Sequence, residues 1–100
     1  MVVKIMPNEK SAPMGKLADA EVYFTEGAME GMRLLGFAIW EKKNGTGRNV
    51  TFPSRTYSVN GERRSFALLR PVSDSNSQSR VRELVLQAYA EFEAQAAIAS

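Results

Sequence analysis

The sequence predicts an α+β fold, in which a small antiparallel β-sheet carries one C-terminal α-helix packed on it. Several segments of the first seventy residues alternate apolar and polar side chains with the period of two that is typical of β-strands. Asn-Gly pairs at residues 44–45 and 60–61 are typical of tight hairpin turns. After residue 80 the apolar residues recur at three- and four-residue spacing instead, as they do on one face of a helix.

The first strands follow from this alternation. Residues 2–6 are short, apolar and β-branched, and residues 17–25 alternate with Ala18, Ala20, Val22 and Phe24 on one side. The turn-forming residues at 7–15 predict a loop between these two strands.

The segment 32–42 is apolar on both sides of the predicted strand. One side carries Met32, Leu34, Ala38 and Trp40, and the other carries Leu35, Phe37 and Ile39. We therefore expect a central strand covered twice, once by the helix and once by a partner subunit. A helix over 28–42 is the alternative, which Gly31, Gly36 and the aromatic residues disfavour.

A further strand at 48–52 places Arg48, Val50 and Phe52 on one side and ends at Pro53, which has no N–H to donate to the sheet. Residues 56–61 are predicted as a loop, and 64–70 as a strand that Pro71 stops. A polar loop at 73–79 then precedes the helix. Its apolar stripe comprises Val81, Leu84, Val85, Ala88, Tyr89 and Phe92. We expect the Ala-rich end from about residue 94 to fray.

Length and composition predict one domain over residues 1–100. Cysteine and histidine are both absent, which removes thiolate chemistry and the commonest general base. Asp19 and Glu21 are explained as polar positions of a half-exposed strand. We therefore expect a non-enzymatic protein without cofactor, metal or small-molecule substrate. No segment resembles a membrane span or a signal peptide, so we expect a cytoplasmic protein with no membrane partner.

The charge is segregated along the chain. Residues 41–82 carry nine basic and three acidic residues, a net charge of +6, although the whole chain has only +2. Such a basic segment between two acidic ends predicts a positive patch that binds nucleic acid.

The candidate nucleic-acid-binding residues lie in or beside this basic segment. Arg80 and Arg82, with the hydroxyls of Ser77 and Ser79, fit phosphate binding at a helix start. Tyr57 is the best candidate for stacking on a base. The alternative is an ordinary solvated surface. The full set is Arg48, Ser54, Arg55, Tyr57, Arg63, Arg64, Arg70, Ser77, Ser79, Arg80 and Arg82.

A resemblance to a known family rests on several short motifs. They are Asn44-Gly45, residues 50–55 (Val-Thr-Phe-Pro-Ser-Arg), Gly61, Pro71, Arg80-Val81 and residues 85–89 (Val-Leu-Gln-Ala-Tyr). In this order they resemble the SpoVG family of small bacterial proteins named for sporulation and septation. The resemblance spans nearly the whole chain. It implies a dimer of antiparallel sheets with a C-terminal helix that binds DNA and RNA to regulate expression.

The leading hypothesis is therefore a site-selective nucleic-acid-binding regulator that acts as a homodimer, with the sheet as the dimer seam. The alternative is a protein-interaction module that uses an exposed sheet edge and binds no nucleic acid. Phosphate contacts release counterions, so salt dependence distinguishes the two hypotheses.

Overall fold

A computed structural model describes residues 1–9 and 11–99, so Lys10 of the predicted loop and Ser100 lie outside the described residues. The predicted α+β class is confirmed, with the strands divided between two antiparallel sheets and a single C-terminal helix. The four-stranded sheet has the order β1-β2-β3-β4, and its strands are Val2–Pro7, Lys16–Tyr23, Arg33–Glu41 and Arg48–Thr51. A separate hairpin consists of β5 (Ser54–Val59) and β6 (Glu62–Ala67), and helix α1 spans Asn76–Ala99.

The core lies between one face of the four-stranded sheet and α1. The predicted alternation of β2 is confirmed, since Ala18, Ala20 and Val22 are buried. They pack with five further buried residues, which are Phe37, Ile39, Val50, Val85 and Tyr89. The helix stripe is thus confirmed at its centre, while Leu84 at its margin remains 37% exposed.

The central position of β3 is confirmed, but its predicted faces are wrong before Gly36. Leu34 packs on the core together with Phe37 and Ile39, whereas the alternation had put it with Ala38 and Trp40. The pairing with β2 shifts register here, so that Leu35 and Gly36 together oppose one residue of β2. Such a bulge inverts the alternation, and Gly36 accommodates it with a φ of +107°.

The segment 56–61, predicted as a loop, is largely strand. β5 continues to Val59, and the turn itself is confirmed at Asn60 (φ 51°) and Gly61 (φ 83°). Positive φ at both central residues suits the right-handed twist of a two-residue hairpin, which therefore extends further than the polar composition indicated. β6 ends at Ala67, before the predicted Arg70.

The hairpin projects from the body as an arm. All twelve of its strand residues are exposed. At its base the Leu68 N–H donates to the Pro53 carbonyl at 2.9 Å, which brings the two ends of the arm together. The radius of gyration is 15.0 Å, whereas a compact domain of this length has about 13 Å.

Helix α1 begins earlier than predicted. Residues 76–79, assigned to the polar loop, form its first turn. The Asn76 N–H donates to Asp74 Oδ1 at 2.8 Å and the Ser77 hydroxyl donates to the Asp74 carbonyl at 3.2 Å, so local hydrogen bonds fix this start. The Ala-rich end, which we expected to fray, stays helical to Ala99. Within the described residues, no helix is long and apolar enough to cross a membrane.

Candidate nucleic-acid interface

One face of the arm combines arginines with aromatic rings. Cross-strand pairing puts Arg55 opposite Phe66, Tyr57 opposite Arg64 and Val59 opposite Glu62. Because side chains alternate between the two faces of a strand, these six residues share one side, which we call the hairpin face. Tyr57 and Phe66 are 43% and 48% exposed, so both rings are open to a ligand.

The opposite face of the arm is small and polar. It carries Ser54, Thr56, Ser58, Ser65 and Ala67, with Arg63 as its only charge. The two neighbouring arginines, Arg63 and Arg64, thus lie on opposite sides of the hairpin. Of the predicted set, Ser54 and Arg63 are separated from Arg55, Tyr57 and Arg64 by the thickness of the hairpin.

Arg70 connects the hairpin face to a second feature at the base of the arm. Its guanidinium carbon lies 5.2 Å from the centroid of the Phe66 ring, within range of a cation–π interaction. Arg70 also lines an open pocket with about 300 Å³ of empty space. We call this the helix-start pocket, lined by Phe52, Leu69, Arg70, Pro71, Ser77, Gln78 and Val81.

Two more of the predicted residues lie in or beside the pocket. Ser77 belongs to its wall. Arg82, one turn further along α1, holds its guanidinium carbon 5.7 Å from the centroid of the Phe52 ring, and Phe52 forms another part of the wall. Ser79 is half-buried and Arg80 is exposed within α1. The prediction that Ser79 and Arg80 lie at the helix start is therefore wrong, because α1 begins at Asn76 and the Ser79 N–H already donates to the Ser75 carbonyl at 3.1 Å.

Arg48 is engaged elsewhere, on the core side of β4. Its two terminal nitrogens reach the two carboxylate oxygens of Glu93 at 2.5 and 2.8 Å, and its guanidinium carbon lies 4.9 Å from the centroid of the Tyr89 ring. A bidentate ion pair of this kind ties β4 to α1. We therefore assign Arg48 a structural role.

The pKa of the Tyr89 phenol is shifted by its position at this junction. Burial is the main cause that raises the pKa of Tyr89 above the ordinary value of 10.0, and the negative charge of Glu93 adds to it. The positive charge of Arg48 acts in the opposite direction.

Most arginines of the arm and helix start lack an acidic partner among the described residues. Arg64 pairs with Glu62 at 3.1 Å, but both side chains are more than half exposed, so this pair is weak. Those without an ion pair are Arg55, Arg63, Arg70, Arg80 and Arg82. Unneutralised guanidinium groups around open rings attract phosphate and can stack on bases.

Sequence reasoning missed Phe66, Phe52 and Gln78 as parts of this surface. Phe66 shares the alternation of Arg64, which was visible in the sequence, but its position beside Arg55 depends on the cross-strand register. Phe52 and Gln78 meet only through the packing of α1 on the end of β4.

No group of three or more metal-ligating side chains occurs in the part of the chain that the structure describes. Comparisons with protein-family models, curated proteins and solved structures found no match.

Proposed function

We propose that this chain is a site-selective nucleic-acid-binding regulatory protein that acts as a homodimer. The observation that carries the proposal is the hairpin face, where Arg55 and Arg64 lie beside the exposed rings of Tyr57 and Phe66. A two-stranded hairpin with both faces in water is marginally stable by itself, so a bound partner is the simplest reason for such an arm.

The chemistry of the arm favours a polyanion as that partner. Arginines at the hairpin face and at the helix-start pocket supply positive charge, while the aromatic rings supply surfaces for bases. Two acidic residues of the body are paired locally, with Lys16 2.7 Å from Asp19 and Arg33 3.3 Å from Glu21. Five arginines of the arm, its base and α1 have no ion pair among the described residues.

The resemblance to the SpoVG family adds a cellular role to the proposal. It implies a bacterial, cytoplasmic protein that regulates gene expression, septation or sporulation by binding DNA or RNA. Of the residues that carry the resemblance, Pro53-Ser54-Arg55 join the arm to the body, whereas Arg80-Val81 and residues 85–89 lie within α1.

Salt dependence tests the proposal. Log affinity for mixed-sequence DNA and RNA should fall linearly with log salt concentration, with a slope of about −0.7 to −0.9 per phosphate contacted. Arg55→Gln and Arg80→Gln should each weaken binding and reduce the magnitude of the slope by about one. The measurement is fluorescence anisotropy with labelled oligonucleotides over a salt series.

Lys4→Gln is the matched control. Lys4 is an exposed base on β1, opposite Glu21 in the four-stranded sheet, and its loss should leave the slope unchanged. Arg33 is less suitable, because its hydrogen bond to Tyr23 and the charge of Glu21 both raise its pKa and tie it to the sheet. A slope that changes with Lys4 but not with Arg55 or Arg80 would contradict the proposed surface.

The second candidate is a protein-interaction module. It is favoured by β1, an edge strand of six residues that pairs with β2 on one side only. An added strand would bind there through main-chain hydrogen bonds. Such binding would change little with salt.

A further inference from the structure

The spacing of the two exposed rings bears on which form of nucleic acid the hairpin face accepts. Tyr57 lies opposite Arg64, and Phe66 lies opposite Arg55, so the two rings are diagonal neighbours on adjacent strands. Diagonal positions in an antiparallel pair are about 7–8 Å apart. Successive bases in a duplex are separated by only about 3.4 Å along each strand.

We propose that the hairpin face selects single-stranded nucleic acid by stacking unpaired bases on Tyr57 and Phe66. This inference rests on the proposed function and names its substrate class. Rings carried at strand positions about 7–8 Å apart suit bases that are splayed from one another, or one base between the rings, and both arrangements need bases free of a complementary strand. In a duplex the flat faces of the bases are covered by their neighbours.

Charges on the same side suit the backbone of a single strand. Arg55 and Arg64 occupy the other diagonal of the four-residue square formed with Tyr57 and Phe66. Bases stacked on the rings would leave their phosphates within reach of these guanidinium groups. Arg70, 5.2 Å from the Phe66 ring centroid, adds a third positive charge toward the helix-start pocket.

The opposite face of the arm offers no such platform. Its side chains are small and hydroxylic except for Arg63, and no aromatic residue lies among them. The surface therefore has one stacking side, which fits a strand lying across the hairpin face. A two-stranded ribbon inserted in the major groove of a duplex is the rival geometry.

The test compares three ligands and four variants by fluorescence anisotropy at fixed salt. The ligands are an oligouridylate, an oligothymidylate, and the same oligothymidylate annealed to oligoadenylate. The variants are Tyr57→Leu, Phe66→Leu, Tyr57→Phe and Ser58→Ala, with circular dichroism to establish that each is folded. Ser58 is the matched control, because it lies on β5 beside Tyr57 but on the opposite side of the hairpin.

We expect both single strands to bind roughly tenfold or more tightly than the duplex. Each Leu variant should lose at least about fivefold in single-strand affinity and little in duplex affinity. Ser58→Ala should bind like the wild type, and Tyr57→Phe should retain single-strand affinity because it keeps the ring. The two single strands separate RNA from DNA preference. In the wild-type protein, ring-proton resonances of Tyr57 and Phe66 should also shift on addition of oligouridylate, a measurement that needs no variant.

Tighter binding to the duplex, wild-type affinity of both Leu variants, or unshifted ring protons in a complex that forms would each overturn this inference and leave the proposed function standing. No binding to any of the three ligands, nor to mixed-sequence DNA or RNA, would overturn the proposed function as well.

Discussion

Gly36 packs closely against Pro53 at the point where the four-stranded sheet ends and the arm begins. A Cβ added at Gly36 would lie 3.2 Å from the Pro53 Cβ and 3.3 Å from its Cα, so the bulge of β3 is pressed against the buried proline. Pro53 thus has a packing role in addition to the strand-ending role that the sequence predicted. The two roles together fix the direction in which Ser54 and Arg55 leave the body.

Gly36→Ala should lower the free energy of unfolding by about 2–4 kcal/mol. A side chain at a positive φ costs roughly 1–3 kcal/mol, and the contact with Pro53 adds to it. Gly27→Ala is the matched control, since Gly27 has a φ of +78° and nothing within 4 Å of an added Cβ. It should cost only about 1 kcal/mol. Urea unfolding measures both, and equal losses would show that the contact with Pro53 contributes nothing.

The buried phenol of Tyr89 predicts a loss of stability at alkaline pH. Its folded-state pKa is raised above the unfolded value, so the folded state holds this proton more tightly. The resulting stabilisation is fully present below about pH 10 and is lost as the pH rises through the folded-state pKa. Unfolding free energies measured by urea titration at increasing pH should therefore fall above about pH 10.

Tyr89→Phe should flatten this alkaline decline, because the titrating group is removed. Tyr57→Phe, which alters a tyrosine on the open hairpin face, should keep the wild-type decline. If the two variants show the same pH dependence, burial of Tyr89 does not control alkaline unfolding.

At the scale of elements, the arm is separable from the body. Its twelve strand residues contribute nothing to the buried core, and its two ends meet at the hydrogen bond between Leu68 N and Pro53 O. We expect that replacing residues 54–67 by a two-residue Asn-Gly turn leaves the four-stranded sheet and α1 folded. The circular dichroism melting transition should remain cooperative, while nucleic-acid affinity should fall to the background level.

A matched replacement elsewhere separates loss of the arm from loss of fold. Residues 43–46 form the exposed turn between β3 and β4, and shortening that turn should preserve binding. An arm-deleted protein that binds as tightly as the wild type would exclude the hairpin face as the interface.

The sequence predicted elements well where one strand face is buried and poorly where neither face is. β2 followed from Ala18, Ala20 and Val22, because a buried face imposes alternation. Most of β5 was predicted as a loop, because neither of its faces is buried and packing on a core therefore imposes no alternation on its sequence. The start of α1 was set too late, since Ser77, Gln78 and Ser79 precede its strongest apolar residues.

The sequence predicted which residues form the candidate site better than it predicted how they are arranged. Arg55, Tyr57, Arg64, Arg70 and Ser77 do gather at the arm and its base. Arg48 does not belong to this group. The charge pattern of the sequence did not predict its ion pair with Glu93, which lies 45 positions further along the chain. Long-range pairing of this kind depends on how α1 crosses the sheet.

At the scale of the whole molecule, the outer side of the four-stranded sheet remains uncovered by α1. Leu35 is 52% exposed there. Ala38 is buried, and the Trp40 indole N–H donates to Thr51 Oγ1 at 2.9 Å. A second copy against this side would shield Leu35 and complete the double coverage expected of β3.

We therefore expect sedimentation at micromolar concentration to give twice the chain mass of 11.1 kDa. Leu35→Glu should shift the mass to that of a monomer, because the new charge would be buried in the interface. Val72→Glu, at a fully exposed loop position, should remain dimeric. A wild-type monomer would exclude the dimer, and a dimeric Leu35→Glu protein would locate its seam elsewhere.

The connectivity of the chain has a consequence for how it folds. Every strand pairs with a neighbour in sequence, so β1 to β4 and the arm can each form by closing short loops. Among the described elements, α1 makes the distant connection, since it packs on β1 at the opposite end of the chain as well as on β4. Closing that longest loop is the entropically costly step, so helix docking should come after the folding transition state. Substitutions at the junction of α1 and β1 would then act mainly on the unfolding rate and leave the rate of sheet formation nearly unchanged.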